Sequence, residues 1–270
     1  VSGLTIASWN INSVRLRAPQ VARFAGEASP DVICLQEIKC LEEQFPYKAF
    51  QEMGYPHAHV VGQKGMHGVA IVSRLPLEAL ESRPVCPRSE ARFQRVKIDG
   101  VEIQNYYIPA GGDEPDPHIN PRFRHKLDFL QSLEASLAAR KEEGGDIVLA
   151  GDLNIAPYEH DVWSHRQLLK VVSHTPVETG GLERAREAGG FIDAARMLIP
   201  EPEKLYTWWS YRNRDWRKSN RGRRLDHIWV TPSLRESVLA GGRRNFTVWD
   251  QCRDWEKPSD HAPVTLVLKP

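Results

Sequence analysis

The sequence predicts an α/β fold of four layers, two packed mixed β-sheets flanked by helices, and three observations lead there. Nine short β-rich runs recur along 270 residues, too many for one small sheet. Only four helical patterns are present, and they interrupt the strand series instead of alternating with it one for one, which disfavours a doubly wound parallel sheet. A chain of this length buries roughly three quarters of its unfolded surface, so a single domain spanning residues 1–270 needs no covalent staples.

In chain order the strand runs are TIASWNI near residue 5, DVICLQ near 31, HAHVV near 57, GVAIVS near 68 and FQRVKI near 93. VEIQNYYI near 101, DIVLAG near 146, LDHIWVT near 225 and PVTLVLK near 263 follow. These runs are rich in the β-branched and aromatic residues that fit a pleated surface. Helices are predicted over Arg17–Ala28, Pro46–Met53, Pro121–Lys141 and Leu182–Met197. In the longest, Phe123, Leu127, Leu130, Leu133 and Leu137 recur at helical spacing, and Pro121 suits the first helical position because its φ is already helical. The segments 109–121 and 220–224, rich in Pro and Gly or in Gly and Arg, read as loops.

Composition narrows the function classes. With 41% hydrophobic and 26% charged residues, the chain is not a coiled coil, a collagen-like rod or a disordered tail. A net charge of +1 argues against wholesale nucleic-acid binding, yet RNRDWRKSNRGRR (212–224) sets seven Lys/Arg against one Asp, a candidate anion-binding surface. Cys34, Cys40, Cys86 and Cys252 form no C-x-x-C pair, so neither a disulfide framework nor a zinc site is expected. No stretch reads as a secretory leader or as the 18–20 apolar residues of a membrane span, and a cytoplasmic protein is expected.

The chemistry gathers at strand ends. Asn10 and Asn12 are two residues apart and so share a face, and Asp152 and Asn154 repeat the arrangement. Glu37 closes one run, Asp226 opens another, and Asp260 and His261 precede the last. If these ends converge, several carboxylates cannot all stay ionised without a cation, and an oxygen-rich, thiolate-free set selects Mg²⁺ or Mn²⁺. Such a site suits in-line attack of water on a phosphodiester. His227, next to Asp226 in a strand, is expected to face the opposite way.

The strings SWNINSVR, LQEIK, NYYIPAGG, GDLNIAP, RGRRLDHI and KPSDHAPV, in order from residue 8 to 264, resemble the signatures of the exonuclease III type of AP endonucleases, within the endonuclease/exonuclease/phosphatase superfamily. The resemblance implies a DNase I-like fold and a Mg²⁺-dependent enzyme. That enzyme would cut duplex DNA 5' to abasic sites, digest 3'-to-5' and trim 3' ends. It implies a metal held by Glu37 with Asn12 and Asp260, and by the set Asn10, Asp152 and Asn154. Within that set Asn10 steadies the carboxylates. It makes Tyr107, Asp152, Asn154, Asp226 and His261 catalytic, with Asp152 activating water and Asp226 aligning a cationic His261. Trp208 and Leu225 would wall a pocket for an extruded deoxyribose, and Lys39, Arg212, Arg217, Arg221, Arg223 and Arg224 would flank it as phosphate contacts. Ala110 and Arg223 depart from the family pattern, which commonly has Asn or Gln at the first and in some members an aromatic at the second. A monomer without membrane contact is expected. The alternatives are a superfamily phosphodiesterase on RNA or phospholipid, and a non-catalytic DNA-binding module.

Overall fold

The computed structural model describes residues 3–65, 67–82, 84–213 and 215–270; Arg214 of the basic segment lies outside them. Twelve strands are present among the described residues: β1 (Leu4–Asn10), β2 (Val32–Gln36), β3 (His57–Val61), β4 (Val69–Ser73), β5 (Glu78–Ala79), β6 (Phe93–Ile98), β7 (Val101–Tyr107), β8 (Ile147–Asp152), β9 (Ile192–Asp193), β10 (Asp226–Val230), β11 (Phe246–Val248) and β12 (Val264–Leu268). The helices are α1 (Val14–Ala28), α2 (Tyr47–Glu52), α3 (Pro121–Lys141), α4 (His165–Leu168), α5 (Pro176–Ala188), α6 (Ala194–Leu198), α7 (Trp216–Ser219) and α8 (Arg235–Leu239). All nine predicted strands form. The three not foreseen, β5, β9 and β11, have two or three residues each, too few to show a period.

Six strands make each sheet, in the orders β11-β12-β1-β2-β4-β3 and β5-β6-β7-β8-β10-β9. Among the described residues only β1/β2 and β7/β8 pair in parallel, so both sheets are mixed. Their inner faces share one core: Ile6, Val32, Cys34 and Ile71 of the first sheet meet Val96, Ile103, Val148, Ala150 and Ile228 of the second. Alternation then sends Ala7, Trp9, Ile33 and Leu35 outward, where α1 covers them with Val21, Phe24 and Ala25. On the other outer face, Tyr106, Leu149 and Trp229 pack under Phe129, Leu130 and Leu133 of α3 and Leu182 of α5. Each large apolar side chain so buried contributes about 1.5–3 kcal/mol.

Helix α3 has the predicted bounds for a local reason. The Asn120 side chain accepts from the Arg122 amide, Pro121 follows it, and Arg140 and Lys141 occupy the last turn, where the helix dipole favours positive charge. The helix expected over Leu182–Met197 is corrected: it is two helices, α5 and α6. Gly189 and Gly190 stop the first, with Gly190 at φ +68°, and β9 intervenes. Asp193 then caps α6 by accepting from the Arg196 amide.

Candidate active site

Topology brings the polar strand ends to one edge. Parallel β1 and β2 end together at Asn10 and Gln36, and parallel β7 and β8 end together at Tyr107 and Asp152. Antiparallel β10 begins there, with Asp226 opposite Asp152, and β12 begins beside the end of β1, just after Asp260 and His261. Gly151 permits the close approach of β8 to β7, because a Cβ there would lie 2.0 Å from the Tyr106 carbonyl oxygen. Beneath this edge the sheets are tied by a buried polar bridge: Gln36 Nε2 donates to Asn105 Oδ1 at 2.8 Å, and Asn105 Nδ2 donates to the carbonyls of Leu35 and Ala70.

At the centre, Asn10 Nδ2 donates to Glu37 Oε1 at 2.9 Å and to Asp152 Oδ2 at 2.8 Å. The Tyr107 hydroxyl donates to the same Glu37 oxygen at 2.8 Å. The Asn154 amide hydrogens go to the Ile108 carbonyl and Asp152 Oδ2, while its backbone N–H meets Asp152 Oδ1 at 3.0 Å. His261 Nδ1 lies 2.8 Å from Asp226 Oδ2, which also accepts from the Thr207 hydroxyl at 2.6 Å. His261 Nε2 faces Asp152 Oδ2 at 3.6 Å, an ion contact too long for a hydrogen bond. Asn12 Nδ2 reaches Asp260 Oδ1 at 3.3 Å, and Trp208 Nε1 donates to Asp260 Oδ2 at 2.9 Å.

Burial sets the protonation of this cluster. It pushes the Asp152 carboxyl up to about 7; Asp226 and Glu37 add to the rise, and His261 and the Asn10 hydrogen bond oppose it. For His261 burial acts in the opposite sense, but Asp226 and Asp152 outweigh it and raise the imidazole to about 10. The Tyr107 phenol is held well above its ordinary value by burial, then by Glu37 and Asp152, so it is a neutral donor. Backbone strain collects here too: Asn12, Glu37, Lys39 and Asn154 all have φ between +48° and +54°. Such a conformation costs of order 1–3 kcal/mol per non-glycine residue and persists where its surroundings enforce it.

The donor set fits a hard divalent ion. Glu37, Asn12 and Asp260 are half-buried at the mouth, and the Lys39 ammonium sits between Asn12 Oδ1 at 2.6 Å and Glu37 Oε2 at 3.1 Å, a cation already held by that pair of oxygens. Asp152, Asp226 and His261 form a second, fully buried group whose ligand atoms lie within 4.8 Å of one another. The Asn10 oxygen accepts from the Asn12 amide at 3.1 Å, which turns its amide nitrogen toward the Glu37 and Asp152 carboxylates that it steadies.

Around this centre, Trp208 and Leu225 share an apolar cluster with Ala156, Val162, Leu168 and Trp163. Arg221 stacks over Trp163 and Arg223 over Trp208, at 4.8 and 5.3 Å from the ring centroids. Arg212 is exposed, whereas Arg217 is matched by Asp254 at 2.5 Å. Arg224 is corrected as a phosphate contact: it is fully buried, with paired bonds to Asp161 and Asp193. A run of like charge does not show which members the fold turns inward.

Sequence reasoning missed Thr207, Ser259 and Arg92. The Ser259 hydroxyl donates to the Asn10 carbonyl at 2.6 Å and accepts from the His261 amide at 3.2 Å, locking two segments of the site together. The Arg92 guanidinium lies 4.6 Å from the Tyr107 ring centroid. Among these, only Ser259 carried a signal, two residues before His261. His227 does face away, bonded to the Ile155 carbonyl.

The sequence profile of the endonuclease/exonuclease/phosphatase family matches residues 7–261. The exodeoxyribonuclease III of Haemophilus influenzae is 31% identical over 275 residues, covering 97% of this chain and 98% of its own. An AP endonuclease structure from Archaeoglobus fulgidus superposes with a TM-score of 0.89 at 32% identity, covering 99% of this chain and all of that one. A 3' phosphatase of Neisseria, solved with a product DNA hairpin, superposes with a TM-score of 0.89 at 31% identity, again over 99% and 100% of the two chains. Likeness of this extent, over two mixed six-stranded sheets with a carboxylate–imidazole cluster at their shared edge, means that the chain belongs to the endonuclease/exonuclease/phosphatase family and is a phosphoester hydrolase of its exodeoxyribonuclease III type.

Proposed function

We propose that the protein is a DNA repair nuclease that hydrolyses the phosphodiester 5' to an abasic site in duplex DNA and also shortens or trims 3' ends. The observation that carries this reading is the chain Asp226–His261–Asp152 beside the Glu37 oxygen set. The names of the relatives, an exodeoxyribonuclease III, an AP endonuclease and a 3' phosphatase, support both kinds of cut.

Asp152, once ionised, takes a proton from the attacking water, whose oxygen bonds to phosphorus as the bond to the 3' oxygen breaks. His261, held protonated by Asp226, donates from Nε2 to a non-bridging oxygen, so charge is stabilised where it develops. Asn154 fixes Asp152, and Tyr107, a neutral phenol whose hydroxyl otherwise donates to Glu37, would turn toward the phosphate or the departing 3' oxygen, which takes up a proton from solvent and leaves as a 3'-hydroxyl. Glu37, Asn12 and Asp260 hold Mg²⁺ or Mn²⁺ at the half-buried mouth. A divalent ion there supplies Lewis-acid neutralisation of phosphate charge.

Trp208 and Leu225 wall the pocket for the extruded sugar. A ring-lined wall admits a bare deoxyribose more readily than a nucleotide with its base, and an abasic residue is already unstacked, so selectivity follows from shape and low extrusion cost. Arg212 and Arg221 contact flanking phosphates. Four free, buried cysteines suit a reducing compartment, and the reading takes the chain as a single-domain, cytoplasmic monomer. Among the described residues no helix is long and apolar enough to cross a membrane.

Asp152→Asn separates a nuclease from a binding module. Incision should fall by about 10²–10⁴, the usual contribution of a positioned general base, while affinity for abasic duplex is kept. Unchanged turnover would remove Asp152 from its role.

A further inference from the structure

Away from the catalytic edge, one other group of ligand-type side chains converges among the described residues: Cys86, Glu90 and His125. Cys86 Sγ lies 3.3 Å from His125 Nε2 and 4.0 Å from Glu90 Oε2, and all three ligand atoms fall within 4.8 Å of one another. Cys86 and His125 are buried, with exposures of 4% and 5%, and the Glu90 side chain is 17% exposed. Two of the three come from the loop between β5 and β6, and the third from the first turns of α3. The catalytic mechanism uses none of them.

We propose that Cys86, Glu90 and His125 form a second metal site, for a thiophilic divalent cation such as Zn²⁺, that clamps the β5–β6 loop to α3. The chemistry of the set is the first support. A thiolate, an imidazole and a carboxylate are three of the four ligands of a tetrahedral zinc site, with water as the fourth, whereas the thiolate-free catalytic cluster suits a harder ion.

Geometry is the second support. Zn–S and Zn–N bonds of about 2.3 and 2.0 Å at a tetrahedral angle place sulfur and nitrogen about 3.5 Å apart. The observed sulfur-to-nitrogen distance of 3.3 Å is close to that value, and the Glu90 oxygen, 4.0 Å from the sulfur, would draw in on binding.

The surroundings fit as well. A ligating carboxylate is normally held by an outer hydrogen bond, and Arg92 Nε donates to Glu90 Oε2 at 2.5 Å. Cys86 also lines a cleft of about 550 Å³ between the loop and α3. The spacing of the cysteines predicted no zinc site because 39 residues separate Cys86 from His125, and the cluster exists only once β6, β7 and α3 have packed.

The test uses Co²⁺ as a spectroscopic stand-in, titrated into the full protein with the catalytic edge kept saturated with Mg²⁺. A thiolate-to-cobalt charge-transfer band should appear at one equivalent, vanish in Cys86→Ser, and need at least about tenfold more cobalt in His125→Gln. Because the catalytic cluster has no thiol, that band is blind to it. Zn²⁺ should also raise the Tm of the wild type and not that of Cys86→Ser, whose DNA incision stays at the wild-type level. No band in the wild type, or a band that survives Cys86→Ser, would overturn the proposal.

Discussion

Asp152 and His261 face each other across 3.6 Å: the Asp152 charge helps to raise the imidazole, while His261 opposes the rise that burial imposes on Asp152. The active form needs Asp152 ionised and His261 protonated. Activity should therefore rise as pH passes about 7, where Asp152 loses its proton, and fall as it passes about 10, where His261 loses its own. The alkaline limb belongs to Asp226, because its charge is what overcomes the burial that would otherwise lower the imidazole. In Asp226→Asn that limb should move to lower pH while the acid limb drops slightly, since Asp226 also raises Asp152. A pH–rate profile under single-turnover conditions checks this, and an alkaline limb that stays in place would contradict the assigned role. Residue identity at strand ends made this pair legible in the sequence. Of its supports, Ser259 stood two residues before His261, whereas Thr207 was hidden, because a lone hydroxyl in a loop shows nothing of what it will touch.

Among the elements, α3 does more than cover a sheet. Its Lys126 is fully buried, pairs with Glu178 of α5 at 2.6 Å, and donates to the carbonyls of Asn154 at 2.8 Å and Ala110 at 3.2 Å. The pair thus anchors the two loops that follow Tyr107 and Asp152, including the strained backbone of Asn154. Removing one partner leaves the other's buried charge without its counter-ion, so Lys126→Met should cost about 3–5 kcal/mol in urea unfolding, and the double change with Glu178→Gln, which keeps acceptors for the Ser173 and Thr175 amides, should cost less than the two single changes together. Additive losses would contradict the pairing. The bounds of α3 were readable because Asn120, Pro121 and the leucine spacing are local signals. The break between α5 and α6 was hidden because a hydrophobic period continues past Gly189 and Gly190, and Lys126 was hidden because a lysine in an amphipathic helix is ordinarily solvated.

Over the whole molecule, a near-neutral protein is expected to bind a polyanion through a local patch. Two arginines of the same basic run separate surface from support. Arg212→Ala should lessen the salt dependence of DNA affinity by about one unit of log–log slope, whereas Arg224→Ala should leave the slope unchanged and lower the unfolding midpoint. Equal slopes for Arg212→Ala and wild type would take Arg212 off the DNA.

The layered architecture was legible at this scale, because nine strand patterns with few helices leave little choice. The meeting of distant strand ends was not in the spacing itself; it follows from two parallel pairs whose carboxyl ends share an edge. The central claim is metal-dependent hydrolysis at an abasic site. Its most direct measurement is cleavage of an end-labelled duplex carrying one central abasic analogue, beside the intact duplex, with Mg²⁺ and with EDTA. A single Mg²⁺-dependent cut immediately 5' to the lesion, leaving a 3'-hydroxyl, is the expected result. Cleavage that persists in EDTA, or no product from the abasic duplex in Mg²⁺, would contradict it.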